Sequence, residues 1–128
     1  MKNVNPVVWF EIYVNDMDRA KAFYKKVFEV EFTQLSDPTA EALQMWSFPG
    51  DMETPGQASG ALVKVEGMSA GGNSTIVYFA SKDCSIEEAR VADAGGKVER
   101  SKMSIGEYGF VSIVKDTEGN MIGIHSME

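Results

Sequence analysis

The strongest constraint on the fold is a pattern that occurs twice. The apolar run VVWFEIYV, Val7 to Val14, leads into Asp16, and TIVYFA, Thr75 to Ala80, leads into Asp83. The two aspartates stand 67 residues apart in a chain of 128. Each is followed by a helical stretch and then by three more strand-like runs. After Asp16, the residues Met17, Ala20, Tyr24, Val27 and Phe28 fall at helical spacing, and Phe23 widens the apolar stripe. Asp16 suits the N-cap, while Lys25 and Lys26 complement the helix C-terminus. Strands are expected at about 29–35, 42–48 and 60–65. In the second copy a strand at 75–80 precedes a helix opened by the capping box SIEE at Ser85 and stopped at Gly95 and Gly96. Strands at about 97–103, 110–114 and 121–125 complete it, the last two joined by the turn DTEGN. The reading is an α+β chain of 128 residues forming a single domain, built from two β-α-β-β-β modules at about 1–65 and 74–128. The Gly- and Ser-containing linker 66–73 is expected to be a flexible connection.

Parity along the first strand separates two faces. Val8, Phe10, Ile12 and Val14 are uniformly apolar and belong under a helix; Val7, Trp9, Glu11 and Tyr13 belong on a face toward water or a cavity. Trp9, Tyr13, Trp46 and Tyr78 are therefore candidate ligand-binding residues, against the plainer reading that strand aromatics fill a core. Glu11 and His125 are the candidate catalytic groups. Glu11 could act as a general base or as an anion recognising a cationic ligand, or simply pair with Lys64, Arg100, Lys102 or Lys115. His125, the single histidine, is either a cavity acid, base or hydrogen-bonding group, or a polar residue near a frayed end. Cys84 reads as an inert thiol.

Charge and cysteine usage exclude several classes of function. A formal net charge of −7 argues against phosphate-backbone binding, which needs clustered Lys and Arg. One cysteine allows no internal disulfide and no Cys-rich zinc site. No apolar run approaches the length of a membrane span, and MKNVNPVVWF lacks a secretory apolar segment, so a cytoplasmic protein is expected.

The run FEIYVNDMDRAKAFYKKVF, Phe10 to Phe28, resembles the opening signature of the vicinal oxygen chelate superfamily, which includes glyoxalase I, bleomycin and fosfomycin resistance proteins and extradiol dioxygenases. The matching pieces are Val14-x-Asp16, Arg19-Ala20 and Phe23-Tyr24. DTEGNMIGI and AGGKVERSKM resemble later passages of the same family, and ASGALVKV extends the similarity toward small proteins related to lactoylglutathione lyase. The resemblance implies paired modules whose sheets form a U-shaped, partly closed barrel around a cavity, with the helices outside. It also implies a divalent metal in the enzymes, held by His, Gln or Glu from the first, fourth, fifth and eighth strands and completed by substrate oxygens.

Carried onto this chain, those positions are Trp9, Ile76 and Gly123, and the fourth strand offers only Lys64. None is a ligand of the family's type, so no metal or other cofactor is expected. A shifted cluster of Glu11, Tyr78 and His125, each two residues beyond a lost position, is the alternative way to hold a divalent metal. The function implied is a small-molecule binding protein of the glyoxalase/bleomycin resistance type, for a cationic or planar organic ligand, working as a homodimer. The alternatives are a lyase- or dioxygenase-like enzyme using Glu11 and His125 as a metal or acid–base site, and a dimeric regulatory or interaction module.

Overall fold

A computed structural model describes residues 3–35, 43–50 and 57–128. Most of the expected Pro-Gly loop and the start of the third strand at 42 lie outside the described residues. The element order is β1 (Trp9–Tyr13), α1 (Met17–Phe28), β2 (Thr33–Leu35), β3 (Leu43–Ser47) and β4 (Ser59–Val65), then β5 (Val77–Ala80), α2 (Cys84–Val91), β6 (Lys97–Ser104), β7 (Phe110–Lys115) and β8 (Met121–Ser126). A short 3₁₀ turn at Gly106–Tyr108, not read from the sequence, lies between β6 and β7. The strands form two four-stranded sheets, ordered β1-β4-β3-β2 and β5-β8-β7-β6. In each, the strand before the helix pairs in parallel with the last strand of its module, and the other pairings are antiparallel. The two modules are thus present with matching topology. No strand pairing joins the two sheets among the described residues, so they do not close into a barrel. No described helix is long and apolar enough to cross a membrane.

Both helices begin as their aspartates dictate. The Asp16 carboxylate accepts from Arg19 N at 3.0 Å, and the Asp83 carboxylate accepts from Ser85 N at 3.0 Å. The second N-cap is therefore Asp83, two residues before the expected Ser85, whose hydroxyl donates to Asp83 Oδ1 at 2.7 Å. Glu88, the far end of the expected capping box, instead accepts from the backbone N–H of Lys102. The helix closes earlier than expected, at Val91, and turns lead from there to Gly95 and Gly96. The first helix buries Met17, Ala20, Phe23, Tyr24 and Val27; each large side chain so buried contributes roughly 1.5–3 kcal/mol. These residues meet Ile12, Val14 and Leu62 of the first module and Val91, Val114, Ile122 and Ile124 of the second in one apolar cluster. The parity of β1 holds from Phe10 onward; Val8, outside the strand, is exposed.

The DTEGN turn locks the modules together. Glu118, whose side chain is fully buried, accepts from the backbone N–H groups of Asn15 and Asp16 at 2.8 Å each. It also takes both ends of the Arg19 guanidinium, at 2.7 and 2.9 Å, and the Thr117 hydroxyl. Burial pushes its carboxyl upward, but the Arg19 guanidinium and these N–H and O–H donors hold it down to about 2. Buried Tyr24 donates to Asp116 Oδ2 at 2.6 Å, and burial, together with the Asp116 carboxylate, raises its phenol well above the ordinary value. Asn120 donates to Tyr13 O and accepts from Gly71 N, while Asn15 accepts from Ala70 N. The linker expected to be flexible is therefore tied to both modules.

Candidate functional site

On the first sheet, the face away from the helix carries Trp9, Glu11 and Tyr13 in a row, as the two-residue period of a strand requires. The indole N–H of Trp9 donates to Glu11 Oε2 at 3.1 Å, and the Tyr13 hydroxyl donates to Glu11 Oε1 at 2.8 Å. Glu11 is exposed and takes its partners from its own strand, not from Lys64, Arg100, Lys102 or Lys115. The hydrogen bond to Glu11, with some burial, raises the Tyr13 phenol above its ordinary value. The carboxylate is thus fixed between two aromatic rings. Glu11 and Tyr13 line a cavity of about 350 Å³ between β1 and β8, together with Asn73, Asn120 and Met121.

The corresponding face of the second sheet is different. It lines a cavity of about 840 Å³, walled by Ile76, Tyr78, Met103, Ile105, Val111, Ile113 and Met121, with Arg100 and His125 as its polar members beside Glu99. Tyr78 and His125 therefore share one cavity, while Glu11 lines the other, and Met121 is common to both. His125 is in β8, paired with Ala80 and Val111, not in a frayed end. Its Nε2 lies 2.7 Å from the carbonyl oxygen of Tyr108. A carbonyl only accepts, so Nε2 carries the proton, and Nδ1 of the neutral ring is left as an acceptor.

Two register shifts in β6 build one wall of this cavity. Val98 lies opposite Val114 on the core face, so in a regular ladder Arg100 would share that face. An extra residue instead sets Arg100 opposite Ile113, and a second shift sets Met103 opposite Val111, both on the cavity face. Glu99 is within 3.7 Å of Lys97 and 3.8 Å of Lys115. Arg100 makes no ion pair or side-chain hydrogen bond among the described residues. Period-two reading of the sequence misplaces Arg100 because the bulge interrupts the alternation, while Met103, five residues from Val98, keeps the face that alternation gives it.

The structure places Trp46 elsewhere. It lies opposite Leu62, on the helix side of the sheet, packed against the core with the Lys21 ammonium 3.3 Å from its ring centre. Trp9 and Ile76 carry no donor for a divalent ion, and Lys64 offers only an ammonium. At Gly123, opposite Tyr78 in the parallel pair, an added Cβ would meet the Tyr78 ring at 2.6 Å. No group of three or more His, Cys, Asp or Glu is placed to hold a metal ion among the described residues. Cys84 is buried, and its backbone N–H donates to Ser126 Oγ.

Comparison with known proteins agrees with this architecture. A family profile described as the Glyoxalase/Bleomycin resistance protein/Dioxygenase superfamily matches residues 6–124. Among solved structures, a glyoxalase I mutant from Zea mays superposes with a TM-score of 0.73 at 17% identity, over 95% of this chain and 47% of that one. The chain thus spans about half the length of that maize protein. An antibiotic binding protein from Streptomyces sp. CB03234 superposes at 0.62 with 23% identity, over 97% of both chains. A glyoxalase/bleomycin resistance protein from Albidiferax ferrireducens T118 gives 0.65 at 18% identity, over 94% of this chain and 98% of that one. No curated protein sequence matches the chain.

Proposed function

This chain belongs to the glyoxalase/bleomycin resistance protein/dioxygenase superfamily, and on that premise we propose that it binds a small organic molecule on the open sheet faces without the divalent metal used by the superfamily's enzymes. The observation that carries the reading is the apolar cavity of about 840 Å³, a volume within the range of organic-ligand pockets, with the Tyr78 ring lying over Gly123. The eighth-strand metal position is filled by an aromatic wall. Indole, sec-butyl and ammonium groups at the other positions do not fit a divalent ion, and no step of the function passes through one.

The roles follow from the side chains. Tyr78 supplies a flat apolar surface, and His125 Nδ1 accepts a hydrogen bond from a ligand hydroxyl or N–H. In the smaller cavity, Glu11 and Tyr13 present a carboxylate held by the Tyr13 hydroxyl and, from outside the cavity, by the Trp9 indole, which suits a cationic or planar group. Two modules acting as one domain supply both cavities, and the chain acts as a homodimer; light scattering measures that mass directly.

The test is calorimetric screening of chelator-treated protein against small organic compounds, followed by titration with Zn²⁺, Mn²⁺ and Fe²⁺. Stoichiometric ligand binding that is indifferent to metal is expected. Tight metal binding, abolished in both Glu11→Gln and His125→Ala, would establish the shifted metal cluster and sink the metal-free reading.

A further inference from the structure

On a molecule of net charge −7, the larger cavity carries one guanidinium, Arg100, beside one carboxylate, Glu99. Its apolar lining leaves Ile76, Tyr78 and Met103 each more than a third exposed, an open apolar surface on an otherwise acidic protein. Set into that surface is one guanidinium, Arg100. The bulge between Val98 and Arg100 is what takes it from the core face to the cavity face. Bulges act in this way, bending a strand locally and re-aiming one side chain. The neighbouring carboxylate, Glu99, sits between Lys97 and Lys115 and leaves the guanidinium unneutralised. Among the described residues no partner takes any of the five N–H donors of Arg100, which leaves them for a molecule from outside.

We propose that Arg100 anchors an anionic group, so that the ligand of the second-sheet cavity is an organic acid with a flat or branched apolar body. This rests on the cavity being a ligand site, as argued above, and adds the class of ligand. A carboxylate matches the guanidinium fork with two parallel hydrogen bonds, which gives orientation as well as attraction. The apolar body lies along Ile113, Val111 and the Tyr78 ring. His125 Nδ1 then meets any hydroxyl or N–H the acid carries. The charge partner of the larger cavity is opposite in sign to that suited to Glu11, so the two open faces select different groups.

Three probes of one shape test this: 2-naphthoate, 2-naphthylmethanol and 2-naphthylmethylammonium, titrated calorimetrically into the full chain. The acid is expected to bind at least about tenfold more tightly than the alcohol, and the ammonium least tightly. Arg100→Met should erase the preference for the acid while leaving the unfolding midpoint unchanged, because the side chain is exposed and has no partner among the described residues. Arg100→Lys should restore part of it. Equal affinity of acid and alcohol for the wild-type protein, or a preference that survives Arg100→Met, overturns the anion anchor but leaves the ligand site standing. Failure of all three probes to bind removes the site and the anchor together. An Arg100→Met protein with altered mass in light scattering and unaltered probe affinity would place a second copy of the chain against Arg100, and that also overturns the proposal.

Discussion

Glu11 and Tyr78 occupy corresponding places in the two modules. Each stands five residues before the aspartate that caps its helix, and each faces the last strand of its sheet in a parallel pair, at Ala61 and Gly123 respectively. One place holds a carboxylate bound by Trp9 and Tyr13, the other an aromatic ring lying over a glycine. The first sheet has its own aromatic-over-glycine pair, Phe10 on Gly60, but on the opposite face, toward the core. The repeated topology thus fixes where side chains project, not what they do. In the first sheet the aromatic–glycine contact packs the interior and the polar residues take the open face. In the second sheet the same contact forms the wall of a cavity.

The junction that holds these two unlike sheets in register gives the largest expected effect. Glu118→Ala removes the acceptor of five hydrogen bonds at once and should destabilise the protein by about 3 kcal/mol, read from denaturant midpoints at pH 7. Its carboxyl, normally near 4.5, is held at about 2 in the folded chain. The ionised form is favoured by folding, so this stability is fully present above pH 4.5 and is lost as the pH falls toward 2. The gap between wild type and Glu118→Gln should therefore narrow across that window. A gap independent of pH would show that the junction works by shape and not by charge.

The two glycines give a smaller and more discriminating contrast. An added Cβ would meet the Phe10 ring at 2.4 Å in Gly60→Ala and the Tyr78 ring at 2.6 Å in Gly123→Ala. The Phe10 ring is partly buried against the core and has less room to yield than Tyr78, so Gly60→Ala should cost about 2 kcal/mol. Tyr78 is 48% exposed and can swing into the cavity, and reduced freedom of the unfolded chain offsets part of the strain. Gly123→Ala should cost under about 1 kcal/mol and instead alter ligand affinity. Equal costs would mean that the Tyr78 ring is as firmly held as a core residue, and the contrast between the sheets would fail.

Much of this architecture is legible in the sequence because it rests on local chemistry. The repeat, the Asp16 cap, the helical stripe and the alternation of β1 are all set by neighbouring residues, and so is the row of Trp9, Glu11 and Tyr13. What the sequence hides depends on partners far along the chain. The capping role of Asp83 competes with a good local alternative at Ser85, which loses because Glu88 is drawn to Lys102. The parity of β3 could not by itself show that Trp46 faces α1 and Lys21. Arg100 reaches the cavity only through a register shift against β7, which no single strand encodes. Glu118 looks like an ordinary turn residue until the fold brings Asn15, Asp16 and Arg19 around it.

The smallest effect bears most directly on whether the first sheet's open face is available to a ligand. Its hydrogen bonds join exposed side chains, so Glu11→Gln should change the unfolding free energy by well under about 1 kcal/mol. The consequence should be electrostatic. Tyr13 titrates above its usual value of 10.0, chiefly because its hydroxyl donates to the Glu11 carboxylate. That contribution is present below pH 10.0 and is lost as the pH rises through the elevated value. Ultraviolet titration of tyrosinate should show one phenol moving down toward 10.0 in Glu11→Gln and absent in Tyr13→Phe. A carboxylate that shifts a neighbour's proton yet adds little stability is free to exchange its partners for a ligand. A large loss of stability in Glu11→Gln would make the row a structural brace, and the second sheet would then be the only one of the two left to bind a ligand.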